Sequence, residues 1–201
     1  MDRELAARAA GVIPEKKLAK FLEYLVRHPE MPKQVDQPHP NEERLQGDIL
    51  RDFPFCIINE TGAPKTATLM VALMNNTCDL QPGRSELVNV ALAFDYREYR
   101  ASIIADRGEQ RAQGYLVAAE KNEINELFYV RDCPSFPEGI VILLGNVASV
   151  STELYEKAVQ DKRRIASFTQ NGFYGFLLKV ANYFARAETP DVDRTEVALA
   201  D

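Results

Sequence analysis

Ala67-Thr68-Leu69-Met70-Val71-Ala72-Leu73-Met74, then Asn75-Asn76-Thr77-Cys78-Asp79, then Leu87-Val88-Asn89-Val90-Ala91-Leu92-Ala93-Phe94-Asp95: two apolar runs of strand length flank a short polar knot. Pro82-Gly83 marks a turn between the knot and the second run. Neither run alternates apolar with polar residues. A strand with one wet face alternates, so both runs are expected inside a closed sheet or covered on both faces. The knot then falls at a strand end, where open sites commonly lie.

Toward the N-terminus, Gly47-Asp48-Ile49-Leu50 and Phe53-Pro54-Phe55-Cys56-Ile57-Ile58 read as further strand, with Pro54 implying an edge or a bend. Asn59-Glu60-Thr61-Gly62-Ala63-Pro64 is turn chemistry. Before Gln46 the character differs. Residues 2–10 read as a short helix ending at Gly11. Pro14 opens a second helix, 14–28, whose stripe is Leu18, Phe21, Leu22, Leu25 and Val26. Pro29, Pro32, Pro38 and Pro40 then make a linker that holds His39.

Toward the C-terminus, 96–122 reads as one or two inserted helices, interrupted at Gly108 and Gly114. Arg97, Arg100, Arg107 and Arg111 could share one side of such a helix, with Tyr96 and Tyr99 nearby. That is either a solvated face or a basic aromatic patch for nucleic acid. Leu127–Val130 and Ile140–Leu144, the latter extended to Val150, read as strands around a loop with Pro134 and Pro137. Ser151 is placed as an N-cap for a helix through Leu154, Ala158 and Ile165. Asp161-Lys162-Arg163-Arg164 is a charged break, and 168–186 is a helix with Phe173, Phe176, Leu177, Val180 and Phe184 on its apolar face. The chain thus divides into an arm and linker at 1–45, a domain at 46–187 and an acidic tail at 188–201, expected to be disordered.

Composition narrows the chemistry. The chain has 201 residues, 46% of them hydrophobic, a formal charge of −6 and an isoelectric point near 5.1. Such a balance argues against broad phosphate neutralisation. No apolar run approaches the roughly 20 residues of a membrane span, and the start lacks the order of a signal peptide. Cys56, Cys78 and Cys133 are too few and scattered for a disulfide framework, which fits a reducing cytoplasm. His28 and His39 sit in no zinc-binding spacing, so neither a metal nor another cofactor is expected.

For the knot, three readings stay open. Cys78 could be a nucleophile, although the neighbouring Asp79 would raise its pKa. Asn75, Asn76, Thr77, Cys78 and Asp79 could bind a polar ligand, with Arg97 as a further binding candidate. Or Asn and Asp could simply cap a turn, with Cys78 as a small buried residue. Lys65, Arg84 and Arg164 are the candidate cations for the knot, in a salt bridge or an anion clamp. Cys56 and Cys133 read as packing residues.

Several pieces together resemble a known group: Gly47-Asp48-Ile49; Met74-Asn75-Asn76-Thr77-Cys78-Asp79-Leu80; Phe136-Pro137 with Gly139-Ile140-Val141-Ile142-Leu143; and Arg164-Ile165-Ala166-Ser167-Phe168 with Gly172 and Phe184-Ala185-Arg186. The chain resembles, in patches over 46–186, the Thr-Cys-Asp-Leu-containing relatives of the MazF/PemK plasmid-maintenance toxins. That resemblance implies a small SH3-like β-barrel and, for several toxins, sequence-specific cleavage of RNA. Two departures stand out. Ala63-Pro64-Lys65-Thr66 replaces the toxins' arginine followed by proline, and Asp95-Tyr96-Arg97 occupies the place of their catalytic threonine or serine.

The expected architecture is α+β: a small, mostly antiparallel SH3-like barrel from about Gln46 to Val150, a helical insertion at 96–122, and helices 14–28 and 151–187 packed around it. Three functions remain in play. One is a non-catalytic or cryptic binding module of toxin–antitoxin or phage-defence type, with RNA or a protein as partner. Another is a metal-independent endoribonuclease, with Lys65, Arg84 or Arg97 for developing charge and Asp79 or Glu98 as base. The last is a structural homodimer joined through helix 14–28 or 170–186.

Overall fold

The computed structural model describes residues 33–39, 44–81 and 83–185. The helices expected at 2–10 and 14–28, the tail at 188–201, Pro82 and Arg186 lie outside the described residues. The described chain is α+β. Its strands are β1 (Val35–Asp36), β2 (Ile49–Ile58), β3 (Pro64–Leu73), β4 (Leu87–Asp95), β5 (Leu127–Val130), β6 (Ile140–Ser151) and β7 (Arg164–Phe168). Its helices are α1 (Tyr96–Arg107), α2 (Glu109–Glu120), α3 (Thr152–Gln160) and α4 (Gln170–Ala185).

All seven strands form one sheet in the order β1-β7-β2-β3-β4-β6-β5, antiparallel at every step. The two unbroken apolar runs become β3 and β4, and both faces of the pair are covered. On one face Ala72, Ala91, Ala93, Ile140 and Ile142 pack with Phe176 of α4. On the other, Val71, Leu73, Val88 and Val90 pack with Tyr155 and Ala158 of α3. Farther along that face, Tyr96, Leu116 and Tyr129 join α1 and α2 to the sheet. Absence of alternation therefore reported a three-layer core, the second of the two expected arrangements.

The sheet is not closed among the described residues. Its end strands, β1 and β5, do not pair with each other, so the expected barrel is not what the pairing gives. Two irregularities explain the shape. In β2 one extra residue enters between Leu50 and Phe53, with Asp52 at φ 51. In β6, Leu144-Gly145-Asn146 bulges out between the partners of Leu92 and Ala91. Bulges sharpen twist and bend a strand away from its neighbour. Beyond its bulge β2 leaves β7 and continues with β3 as a hairpin arm that buries Phe53 and Phe55 on the core and exposes Cys56–Ile58 and Pro64–Thr68.

Other expectations need correction. The insertion is two helices broken at Gly108 (φ 77), but Gly114 lies inside α2 and interrupts nothing. Ile165 belongs not to the helix after Ser151 but to β7, a strand the charged run concealed. The proline-rich linker contains the short β1, anchored to β7. Ser151 does cap α3, accepting a hydrogen bond from Leu154 N at 3.2 Å. Among the described residues no helix is long and apolar enough to cross a membrane.

Candidate functional site

The knot is tied to itself and to the chain on either side of it. Asn75 Oδ1 accepts from Asn89 N, and Asn76 Oδ1 accepts from Cys78 N at 3.2 Å. Asp79 N donates to Asn76 O at 2.9 Å, closing a turn, and Thr77 Oγ1 accepts from Gln46 N at 3.1 Å. Three of the five polar side chains therefore terminate β3 and begin the loop. Leu80 is buried and fastens the loop to the core, while Cys78 and Asp79 are exposed. Cys78 is thus not the buried small residue the sequence suggested: the anchoring falls to Leu80 instead.

The expected cations do not converge. Arg84 reaches the knot, its Nη1 donating to Cys78 O at 3.3 Å. Lys65 stands on the exposed arm, eight residues from Leu73 along β3 and so roughly 26 Å away at the usual strand rise. Arg164 turns inward. Its Nη1 donates to Asp48 Oδ2 at 3.0 Å and its Nη2 to His39 O at 2.8 Å. Arg97 is exposed at the start of α1 and pairs with Asp95 at 3.2 Å, whose carboxylate also caps the helix through Arg97 N.

The aromatic part of the expected basic patch is spent on packing, while Arg97, Arg100, Arg107 and Arg111 are exposed. Tyr96 is buried and its hydroxyl donates to Glu120 at 2.7 Å. Tyr99 and Tyr115 share a hydroxyl hydrogen bond of 2.8 Å, and Arg107 lies over the Tyr115 ring at 4.3 Å. Burial, with hydrogen bonds to Glu120 and to Tyr115 respectively, pushes the Tyr96 and Tyr99 hydroxyls well above the usual phenol range. These rings join α1 to α2 and do not lie open for stacking on bases.

A buried polar cluster went unread in the sequence. Asp48, fully buried, accepts from Arg164, from Tyr155 Oη at 3.0 Å and from Ser167 Oγ at 2.6 Å. It also caps its own turn through Leu45 N at 3.1 Å. Burial and the Asp48 carboxylate push the Tyr155 hydroxyl far up. Four donors converge on Asp48, three on Oδ2 and one on Oδ1, and this cluster clasps β2, β7 and α3 together. The signal available was Asp48 itself, a carboxylate set among Leu45, Ile49 and Leu50.

The open ground lies at the other end of β2. Among the described residues the outer half of β2, Phe53–Ile58, pairs with β3 alone, and the end of β6, Val147–Ser151, with β4 alone. Between these two strands runs a groove of about 660 Å³ lined by Pro54–Ile58 and Gly145–Val150, with no charged side chain among its lining residues. It meets, at Gly145 and Asn146, a pocket of about 260 Å³ lined by Tyr99, Tyr115 and Glu126. Ile57, Ile58 and Val147 stand exposed beside it. Antiparallel pairs alternate in the direction of their main-chain groups. Asn59 N bonds Ala63 O, and Thr152 N bonds Glu86 O. Counting from these, Phe55 and Ile57 bond β3 while Cys56 and Ile58 face the groove; Ala148 and Val150 bond β4 while Val147 and Ser149 face it.

Among the described residues no group of three or more His, Cys, Asp or Glu side chains is placed to hold a metal ion. No protein-family model matches the chain. No curated protein sequence matches it either.

Proposed function

We propose that this chain is a non-catalytic binding module whose site is the groove between the hairpin arm and the end of β6. The observation that carries the reading is the pair of facing strand edges whose main-chain groups lack partners among the described residues. Unpaired edges attract extended chains, and folded proteins usually cover or blunt them. The curl of β2, β3, β4 and β6 is, in this reading, an SH3-like barrel left open at the β2–β6 seam. A bacterial toxin–antitoxin or phage-defence setting belongs to the proposal only through the resemblance of Asn75–Leu80. The knot's exposed Cys78, Asp79 and Arg84 would form a secondary contact at the opposite end of β3.

The geometry favours binding over RNA cleavage. A MazF-like reaction needs a cation and a base on one phosphate. Lys65 and Asp79 lie at opposite ends of β3 and Arg97 is paired with Asp95; of the three named cations Arg84 alone comes near Asp79, with its guanidinium bonded to Cys78 O. The homodimer built through helix 170–186 also loses ground, because Phe176, Phe173 and Val180 of α4 pack on the sheet. The test is to incubate the full chain at micromolar concentration with long mixed-sequence RNA. We expect intact RNA; cleavage that disappears in Lys65→Ala or Arg84→Ala would overturn the reading.

A further inference from the structure

We propose that the β2–β6 seam captures an extended peptide segment by strand addition, with a basic side chain of that segment seated beside Glu126. The inference rests on the binding-module reading and names the ligand class for the same groove.

The seam offers main-chain groups at the spacing a strand requires. Val147 and Ser149 on one side, Cys56 and Ile58 on the other, direct N–H and C=O groups into the groove at every second residue. Pro54 adds a carbonyl but no donor. A segment pairing with β6 would continue the line of β5. The β5 ladder covers Ile140–Leu143, Leu144 N then donates to Glu126 O at 2.8 Å, and past the bulge the edge is bare. Uncharged lining suits the middle of such a segment.

Charge defines its end. The pocket that continues the groove has Glu126 as the charged residue of its lining, beside the bonded hydroxyls of Tyr99 and Tyr115. A lysine or arginine there meets a carboxylate and two hydroxyl acceptors, and the chain's formal charge of −6 favours a basic partner from a distance. Arg107 stacks on Tyr115 but does not line this pocket. A second copy fits less well: its own outer β2, Phe55-Cys56-Ile57-Ile58, brings no cation to Glu126. Strands sit about 4.8 Å apart, so a strand bonded to both edges needs them about 9.6 Å apart. Part of β2 and β6 lies within 8 Å and Phe53 and Phe55 are buried in the core, so the segment pairs with the β6 edge while the end of the arm beyond Phe55, Cys56–Ile58, gives way to admit it.

The test selects a display library of random peptides of about twelve residues on the full chain, then measures synthesised winners by fluorescence anisotropy. The expected winners alternate β-branched or aromatic residues and carry Lys or Arg near one end. Methylating alternate peptide nitrogens should weaken binding about tenfold or more, because each methyl removes a main-chain donor. Cys56→Pro removes only a groove-facing N–H, since Phe55 and Ile57 hold the β3 ladder, and should weaken binding severalfold. Glu126→Lys should do the same and shift selection to acidic peptides. If Cys56→Pro fails to fold, Glu126→Lys and the methylated peptides still decide. No enrichment over a no-protein control overturns the proposal, as does equal binding by methylated peptides or by Glu126→Lys. Dimerisation that hides the Val147 and Ser149 amides without peptide also overturns it, in favour of a second copy. RNA cleavage is scored separately, so failure of the peptide inference is distinct from failure of the binding-module reading.

Discussion

Two of the sheet's edges are treated in opposite ways by the chain. Along the outer edge of β5, every outward N–H has an acceptor: Leu127 bonds Ile124 O at 3.4 Å, Tyr129 bonds Asn122 Oδ1 at 2.6 Å and Arg131 bonds Gln34 Oε1 at 2.8 Å. Asn122 Nδ2 returns a bond to Tyr129 O at 2.9 Å, so one side chain imitates a neighbouring strand. Lys179 of α4 then holds Asn122 through its carbonyl at 2.7 Å. At the β2–β6 seam no such side chain arrives at Cys56, Ile58, Val147 or Ser149 among the described residues. The contrast between an edge sealed with one asparagine and a seam left unsealed supports the seam as a surface open to an extended chain. Within β2 itself the same contrast recurs, because Asp48 clasps the inner half and the outer half is bare.

The largest effect should come from breaking that clasp. Asp48→Ala leaves Arg164 buried without its carboxylate and strips acceptors from Tyr155 and Ser167. The expected loss is about 3–5 kcal/mol of unfolding free energy in urea titration. A loss below about 1 kcal/mol would mean that the inner half of β2 is held by packing alone.

Unsealing β5 should cost less. Asn122→Ala removes both imitation bonds and places alanine at a φ of 58, a left-handed conformation that asparagine tolerates better. About 1–3 kcal/mol is expected, with faster amide exchange at Tyr129. Lys179 gives the same seal a pH signature. Burial lowers its pKa from 10.5 to about 8. Between those values the unfolded chain binds the extra proton, so stability should rise as pH climbs from about 8 toward 10. The raised tyrosine hydroxyls reverse the trend above about 10, where the unfolded chain ionises first. Lys179→Met should flatten the rise below 10 in thermal melts across that window. The smallest effect belongs to the knot: Asp79→Ala, exposed at the loop, should change stability by less than about 0.5 kcal/mol.

Much of this architecture was legible in the sequence because the signals were long or chemically sharp. The unbroken runs at 67–74 and 87–94 and the strand at 140–150 appear within a few residues of their expected limits. Ser151 and Gly108 punctuate helices where their chemistry says they should. Barrel closure was not legible, because two short bulges at Asp52 and at Leu144-Gly145-Asn146 redirect long strands without a compositional mark. β7 was hidden because Arg164 reads as surface until Asp48 is known to meet it. The knot drew attention as the densest polar stretch, yet Asn75, Asn76 and Thr77 serve the main chain, accepting from Asn89, Cys78 and Gln46 in turn. Main-chain groups carry no side-chain signature, which is why the groove could not be named from residue types.

Residue-resolved amide hydrogen exchange on the full chain tests the open seam most directly. The account predicts a two-residue alternation: fast exchange at Cys56, Ile58, Val147 and Ser149, slow exchange at Phe55, Ile57, Ala148 and Val150. Equal protection of all eight amides would contradict it, because the β2–β6 edges would then already be covered.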